Sequence, residues 1–290
     1  MSWRTVVIAN RAKLDYGQGC LICRGEKISR IHLSEIATLV IETTAVSLTS
    51  ALLCELMHKG IKVIFCDEKY NPQSELIPYC GCHDSADKLK TQLNWTEESK
   101  EKTWAAIVKN KIIQQSNLLL RLGIHEGAKV LADYADEGND ADIISREGIA
   151  SRVYFINLFG LNFVRDDSTI SINSALNYGY SMILSTMNRE IVANGYLPQL
   201  GIHHIGPDNP FNLGCDLMEP FRPIVDEIVY KMNPQKFTFE EKRKLQEVFQ
   251  VTIKQNGEQR YVSHAAEVYV RTVFQALSDG NADSIQFYEI

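Results

Sequence analysis

Three stretches of this 290-residue sequence hold acids and imidazoles that simple core packing would not place there. The first is Ser145-Arg146-Glu147-Gly-Ile-Ala-Ser-Arg152-Val-Tyr-Phe155, an acid followed by small residues that let a backbone or a ligand approach closely. The second is Leu200-Gly-Ile-His203-His204, and the third is Cys215-Asp216-Leu-Met-Glu219-Pro-Phe-Arg222-Pro223. Carboxylate oxygens with one imidazole suit a hard divalent cation, magnesium or manganese, and the nitrogen tilts the preference towards manganese. Two carboxylates also cancel the charge of such an ion, which leaves the site able to accept an anionic phosphate. The ion would polarise a phosphoryl oxygen and orient an attacking hydroxyl for in-line displacement. The same residues have blander readings. Asp216 and Glu219 have the spacing of a helix capping box, although Pro220 biases the residue before it away from helical angles. Glu147 also suits a helix N-terminus through the macrodipole, and adjacent histidines commonly divide into one packed ring and one solvated ring.

All three stretches need elements to position them, and the chain changes character before they begin. From Thr5 to Tyr79 it is strand-like: 5–9, 19–23, 28–32 and 36–41 are short β-branched runs punctuated by Asn10, Gly17, Gly19 and Gly25. Val46, Leu48, Ala51, Leu52, Leu56 and Met57 carry the helical period, closed by Lys59-Gly60. Residues 61–66 read as another strand, and 67–73 as a turn ahead of 75–79. Residues 83–95 are polar at their start and read as a linker. Thr96, with Glu97 and Glu98 behind it, caps a long helix that runs through Trp104, Ile107, Ile112 and Leu119 to about Leu122 and stops at Gly123. Amphipathic stretches follow over 127–135, 147–160, 175–194, 221–232, 239–248 and 258–278. The expected fold is therefore α+β: a small N-terminal β-sandwich-like domain over 1–82, then the linker, then a larger all-α domain over 96–290 that carries the chemistry.

Composition narrows the function classes. Hydrophobic residues make up 45% and charged residues 23%, which excludes a disordered or fibrous chain. No run approaches the roughly 18 apolar residues of a membrane span, and the first ten residues lack the apolar core and cleavage site of a signal peptide. A cytoplasmic protein is expected, with its seven cysteines reduced. Cys20-Leu-Ile-Cys23 and Cys80-Gly-Cys82 invite a zinc-stabilised nucleic-acid-binding module. Positions three apart on a strand face opposite sides, however, so inert cysteines packed as small apolar residues are preferred. A net charge of -6 rules out a whole-chain basic footprint for nucleic acid. Positive charge for DNA must be local, supplied by metal ions, or contributed by a partner. Local candidates are Arg146, Arg152 and Arg165, with Arg189, Arg222, Lys242, Arg243 and Lys244 elsewhere in the helical part; Arg146 and Arg152 are preferred.

Several words in fixed order carry a resemblance. The stretch 41–69, Glu147-Gly-Ile-Ala-Ser-Arg-Val-Tyr-Phe155, Asn173-Ser-Ala-Leu-Asn-Tyr-Gly-Tyr180, Leu200-Gly-Ile-His-His204 and Asp216-Leu-Met-Glu-Pro-Phe-Arg-Pro223 together resemble the CRISPR-associated adaptation integrase and endonuclease family. The last two words look most like members from type II systems, and the likeness covers nearly the whole chain. It implies a homodimer with an N-terminal β-sandwich and a helical domain holding one magnesium or manganese ion per subunit. The ligands carry over to Glu147, His204 and Glu219. His204 is chosen over His203 because it fills the last place of the family's Gly-x-x-His word, and Asp216 becomes a supporting acid. Many members place aspartate where this chain has Glu219, whose longer side chain shifts the carboxylate by about a bond length. The resemblance further implies a small ferredoxin-like partner and DNA as substrate. A fragment's 3′-hydroxyl attacks a phosphodiester of the repeat array, and water in its place turns the same site into a nuclease. This exchange of like bonds needs no external energy source, and no Gly-rich phosphate loop followed by Lys-Ser/Thr is present. The contrasting reading is a non-catalytic DNA-binding scaffold whose acids and histidines are only caps and packing.

Overall fold

Short β-branched runs set off by glycine and asparagine turns become the strands of the first of two units, 1–81 and 82–290. The computed structural model describes residues 4–68, 70–78, 84–136, 139–167 and 169–289. In the first unit β1 (Arg4–Ile8), β2 (Ala12–Gly17), β3 (Cys20–Arg24), β4 (Ile28–His32), β5 (Ile36–Ile41) and β6 (Val46–Leu48) precede α1 (Ser50–His58). Then come β7 (Lys62–Cys66) and β8 (Pro72–Glu75). One sheet has the order β1-β5-β7-β8, parallel except at β7–β8; the other has the order β4-β3-β2-β6, antiparallel except at β2–β6. β5 is buried at all its residues, and its near-continuous apolar run is what a parallel strand covered on both faces requires. Leu14, Leu21, Leu39, Leu52 and Leu56 join one apolar cluster drawn from both sheets and α1.

Two readings shift here. The helical period at 46–48 belongs to a strand paired with β2, and α1 starts only at Ser50, where the Thr49 hydroxyl accepts from the Leu52 amide at 3.4 Å. β2 itself went unread, although Ala12 and Leu14 alternate inward with exposed Lys13. Cys20 and Cys23 lie half-buried on β3, and burial pushes the Cys23 thiol up, away from the thiolate that zinc requires. Cys80 and Cys82 lie outside the described residues.

The second unit contains α2 (Ser85–Leu93), α3 (Glu97–Arg121), α4 (His125–Asp136), α5 (Asp140–Phe159), α6 (Ser171–Ala193), α7 (Asn212–Met218), α8 (Arg222–Met232) and α9 (Phe239–Gln246). It ends with β9 (Thr252–Gln255), β10 (Glu258–Tyr261) and α10 (Val262–Asp279). The stretch expected to be a linker, 83–95, thus holds a helix. Its one buried residue, Gln92, donates to the carbonyls of Leu197 and Leu200. Nor is the unit all-α: β9 and β10 form a hairpin across Asn256-Gly257, both at positive φ as a type I′ turn requires. α3 matches its reading closely, with the Thr96 hydroxyl accepting from the Ser99 amide at 3.1 Å. α5 starts seven residues ahead of its reading because Asn139 and Asp142 form the capping box. Glu147 therefore sits two turns inside the helix, beyond the reach of the macrodipole. No helix among the described residues is long and apolar enough to cross a membrane.

Candidate active site

Side chains from six segments, four of them helices and one the 160–170 loop that supplies Arg165 and Asp166, surround a cleft of about 490 Å³. Lys111 and Gln115 come from α3, one turn apart, and Glu147, Ser151 and Phe155 descend one face of α5. Asn173, Asn177 and Tyr180 do the same on α6, and Arg222 and Asp226 on α8. Glu219 opens the 3-10 turn Glu219–Phe221 that links α7 to α8. It has helical angles, φ −53° and ψ −46°, despite the proline that follows, so the expected bias away from helix is overridden by the continuous α7–α8 run.

Charges inside the cleft are paired. The Lys111 ammonium lies 2.6 Å from Glu147 Oε1 and 2.6 Å from Glu219 Oε2. Arg222 donates from Nε to the other Glu219 oxygen at 2.9 Å and lies over the Tyr180 ring at 4.5 Å. Burial alone would raise the Glu219 pKa, but the two cations overcome it and hold the carboxyl down at about 2. Asp226 behaves oppositely. Fully buried, it is pushed up to about 6, although Tyr180 and Tyr154 (2.8 Å) both donate to it. On the cleft wall Arg165 donates to Asn177 Oδ1 at 2.7 Å.

The histidine pair occupies a separate constellation. Asp216, with no exposed surface, accepts the amides of Ile202 (2.7 Å), His203 (3.1 Å) and His204 (3.0 Å), and His204 Nδ1 at 2.6 Å. It lies inside α7 and ties down the loop before that helix, which replaces the capping-box reading of Asp216 and Glu219. Gly201 is obligatory in this loop: a Cβ there would overlap the His204 carbonyl and stand 2.8 Å from Asp216 Oδ2. A carboxylate can only accept, so His204 Nδ1 carries hydrogen and the ring's lone pair is left on Nε2. The bond to Asp216, then burial acting against it, then the charges of Asp216, Glu219 and Glu147 leave the His204 pKa raised. His203 stacks on Trp104 with centroids 4.3 Å apart and planes 7° apart, while Trp104 meets His204 edge-on. Trp104 and Lys111 stand two turns apart on one face of α3, about 10 Å along its axis.

Of the three expected ligands, Glu147 and Glu219 come together around one cation, and His204 is turned to Asp216. Among the described residues no three His, Cys, Asp or Glu side chains are placed to hold one metal ion. The donor set nevertheless fits a divalent cation in two respects. The carboxylates already share a positive charge, and Glu219 Oε2, buried, makes no hydrogen bond beyond its ionic contact with Lys111. A histidine held by a carboxylate through one nitrogen is also the usual support of a metal-binding imidazole.

Arg146 and Arg152 lie on α5, half-buried and exposed respectively, and neither lines the cleft. Of the other local candidates, Arg222 is half-buried, lines the cleft and pairs with Glu219, whereas Lys242 is buried with its ammonium 5.6 Å from the Tyr178 ring centroid. Lys111, Trp104 and Asp226 were not read as site residues. The available signal was a lysine and two glutamines on the same side of α3 as Trp104, Ile107 and Leu118.

Comparison with known proteins identifies the family and the fold. The family model described as CRISPR associated protein Cas1 matches residues 6–267. The CRISPR-associated endonuclease Cas1 of Neisseria meningitidis serogroup C is 35% identical over 236 residues, 81% of this chain and 77% of that protein. It is consistent with the type II-like wording of the motifs. A casposase bound to an integration product has the same fold, with a TM-score of 0.75 at 17% identity over 97% of this chain and 91% of that one. A chain of a Cas6-RT-Cas1–Cas2 complex gives 0.75 at 17% identity, over 99% of this chain and 36% of that one. With the family model spanning nearly the whole sequence and the curated relative above 30% identity, the chain belongs to the CRISPR-associated Cas1 family, the endonucleases and integrases of CRISPR adaptation.

Proposed function

We propose that this chain performs divalent-metal-dependent phosphodiester transfer on DNA, with Glu147, Glu219 and His204 as ligands of one magnesium or manganese ion. The observation that carries the reading is the pair of carboxylates that share a single cation, each 2.6 Å from it, at the wall of a polar cleft. A bound ion supplies a Lewis acid for a phosphoryl oxygen and its incoming hydroxyl. The protein's own groups prepare for this. Arg222 and Lys111 keep Glu219 ionised at any physiological pH. Asp216 fixes the His204 tautomer and orientation. Arg165 and Asn177 give the cleft wall donors suited to a phosphate or sugar.

In this reading a fragment's 3′-hydroxyl is the nucleophile for integration, and water is the nucleophile for cleavage. The two-sheet N-terminal unit, taken as β-sandwich-like, serves homodimerisation. A small ferredoxin-like partner completes the complex, in keeping with the Cas1–Cas2 assembly named for a similar fold. The partner and local residues such as Arg146 and Arg152 supply the positive charge that a chain of net charge -6 lacks for DNA. The test is an integration assay on a supercoiled repeat plasmid, with and without manganese and the small partner. Joining is expected only with metal, and Glu147→Gln, His204→Ala and Glu219→Gln should abolish it while helicity survives. Variants that shift only the melting temperature and still join DNA would leave a non-catalytic DNA-binding scaffold as the better description.

A further inference from the structure

We propose that Lys111 is a built-in counter-ion: its ammonium holds the place between Glu147 and Glu219 that the divalent ion takes, so the two exclude each other. This rests on the metal reading above.

Space forbids joint occupancy. Nζ stands 2.6 Å from one oxygen of each glutamate, and a small divalent ion bound to the same two oxygens needs roughly 2.1 Å to each. An ion so placed would lie on top of the ammonium. Charge forbids it as well. Glu147 and Glu219 contribute two negative charges, and Lys111 and Arg222 two positive ones, so the set is neutral as it stands. A divalent ion added without displacement leaves two uncompensated charges where Lys111 is 6% and Glu219 4% exposed.

Arg222 is poorly suited to yield. Its guanidinium reaches Glu219 Oε1 through both Nε and an Nη at 2.9 Å and stacks over Tyr180. Lys111 is held less specifically. Its contact with Glu147 has hydrogen-bond geometry, whereas its equally short contact with Glu219 Oε2 is poorly aligned for one, a point charge rather than a fork. A lysine on a flexible four-carbon stem can swing into the adjoining cleft, which it already lines. Until an ion arrives, the ammonium offsets the repulsion between the buried Glu219 and the half-buried Glu147 carboxylates and keeps the pair assembled. Burial opposes the ammonium, but Glu219 and Glu147 outweigh it, and the lysine stays charged.

The test is calorimetric titration of the whole protein with manganese chloride alone, together with metal-free melting, for wild type, Lys111→Met, Lys111→Gln and Lys111→Arg. Lys111→Met and Lys111→Gln should melt lower without metal, bind manganese at least tenfold more tightly than wild type, and gain more melting temperature from it. Lys111→Arg, which keeps the charge, should not tighten binding. A neutral variant that folds only when manganese is added supports the proposal equally. Neutral variants that bind manganese no better than a wild type that does bind it, or that stay unfolded with it, overturn the proposal and make Lys111 a residue that positions the carboxylates. If neither wild type nor any variant binds manganese, the metal reading itself has failed.

Discussion

Residues 1–81 and 82–290 fill their interiors with different chemistry. The first unit packs Leu14, Leu21, Leu39, Leu52 and Val63, and its buried polar residues, among those described, are Thr38, Glu42 and Lys62. The second buries Lys111, Gln114, Gln115, Asn188, Asp216, Glu219 and Asp226 among its apolar helices. Burying a charge is unfavourable unless partners are built around it, and charges that serve only stability are usually replaceable by apolar residues. A unit that gathers four such ionisable groups in and beside one cleft is organised for chemistry; a unit whose interior is apolar apart from Thr38, Glu42 and Lys62 has the make-up of a scaffold. The contrast is therefore testable by asking what each interior loses when it is changed.

The largest separation is expected between Glu219→Gln and Leu14→Ala. The first should lower DNA joining on the order of 10³-fold, as for loss of a central electrostatic stabiliser, with the protein still folded. Leu14→Ala should cost about 2–5 kcal/mol in a denaturant melt and leave joining per folded molecule unchanged. Equal effects of the two on joining would erase the distinction between the units.

Next in size is Asp226, whose folded pKa of about 6 lies above its ordinary value of 3.8 because burial outweighs its two tyrosine donors. A carboxyl raised on folding contributes stability that is complete below pH 3.8 and is lost as pH rises through 6. The difference is about 3 kcal/mol. Asp226→Asn keeps the shape without the titration, so its stability relative to wild type should climb between pH 4 and 7 in urea melts. Parallel pH profiles would show that the buried acid is already neutral or fully compensated. Asp216→Asn should weaken manganese binding by about 10–100-fold while His204 remains present, read by calorimetry. The smallest effect is expected away from the cleft: Gly257→Ala, at φ +80° in the hairpin turn, should cost about 1–2 kcal/mol and leave metal binding unchanged.

Legibility followed how local each signal is. The cap at Thr96, the stop at Gly123 and the runs 28–32 and 36–41 are set by neighbouring residues, and the structure has them as read. The polar start of α2 conceals a helix because its one buried residue, Gln92, finds its partners in a distant loop. Asn256-Gly257 was a readable hairpin signal, overshadowed by the helical period that begins at Val262. The acids and histidines of the site announced themselves by type and order. Lys111 did not, since a lysine on a long helix looks like a solvated surface residue until Glu147 and Glu219 arrive from remote parts of the chain. The same holds for Asp216, whose acceptor role on the 202–204 amides depends on a loop closed by Gly201.

The most direct measurement is anomalous diffraction at the manganese edge from crystals of the full chain grown with manganese. The expected result is one peak in the helical unit about 2.2 Å from carboxylate oxygens of Glu147 and Glu219 and from His204 Nε2, with the Lys111 ammonium withdrawn. A peak elsewhere, or none while Lys111 still bridges the two glutamates, would contradict the account.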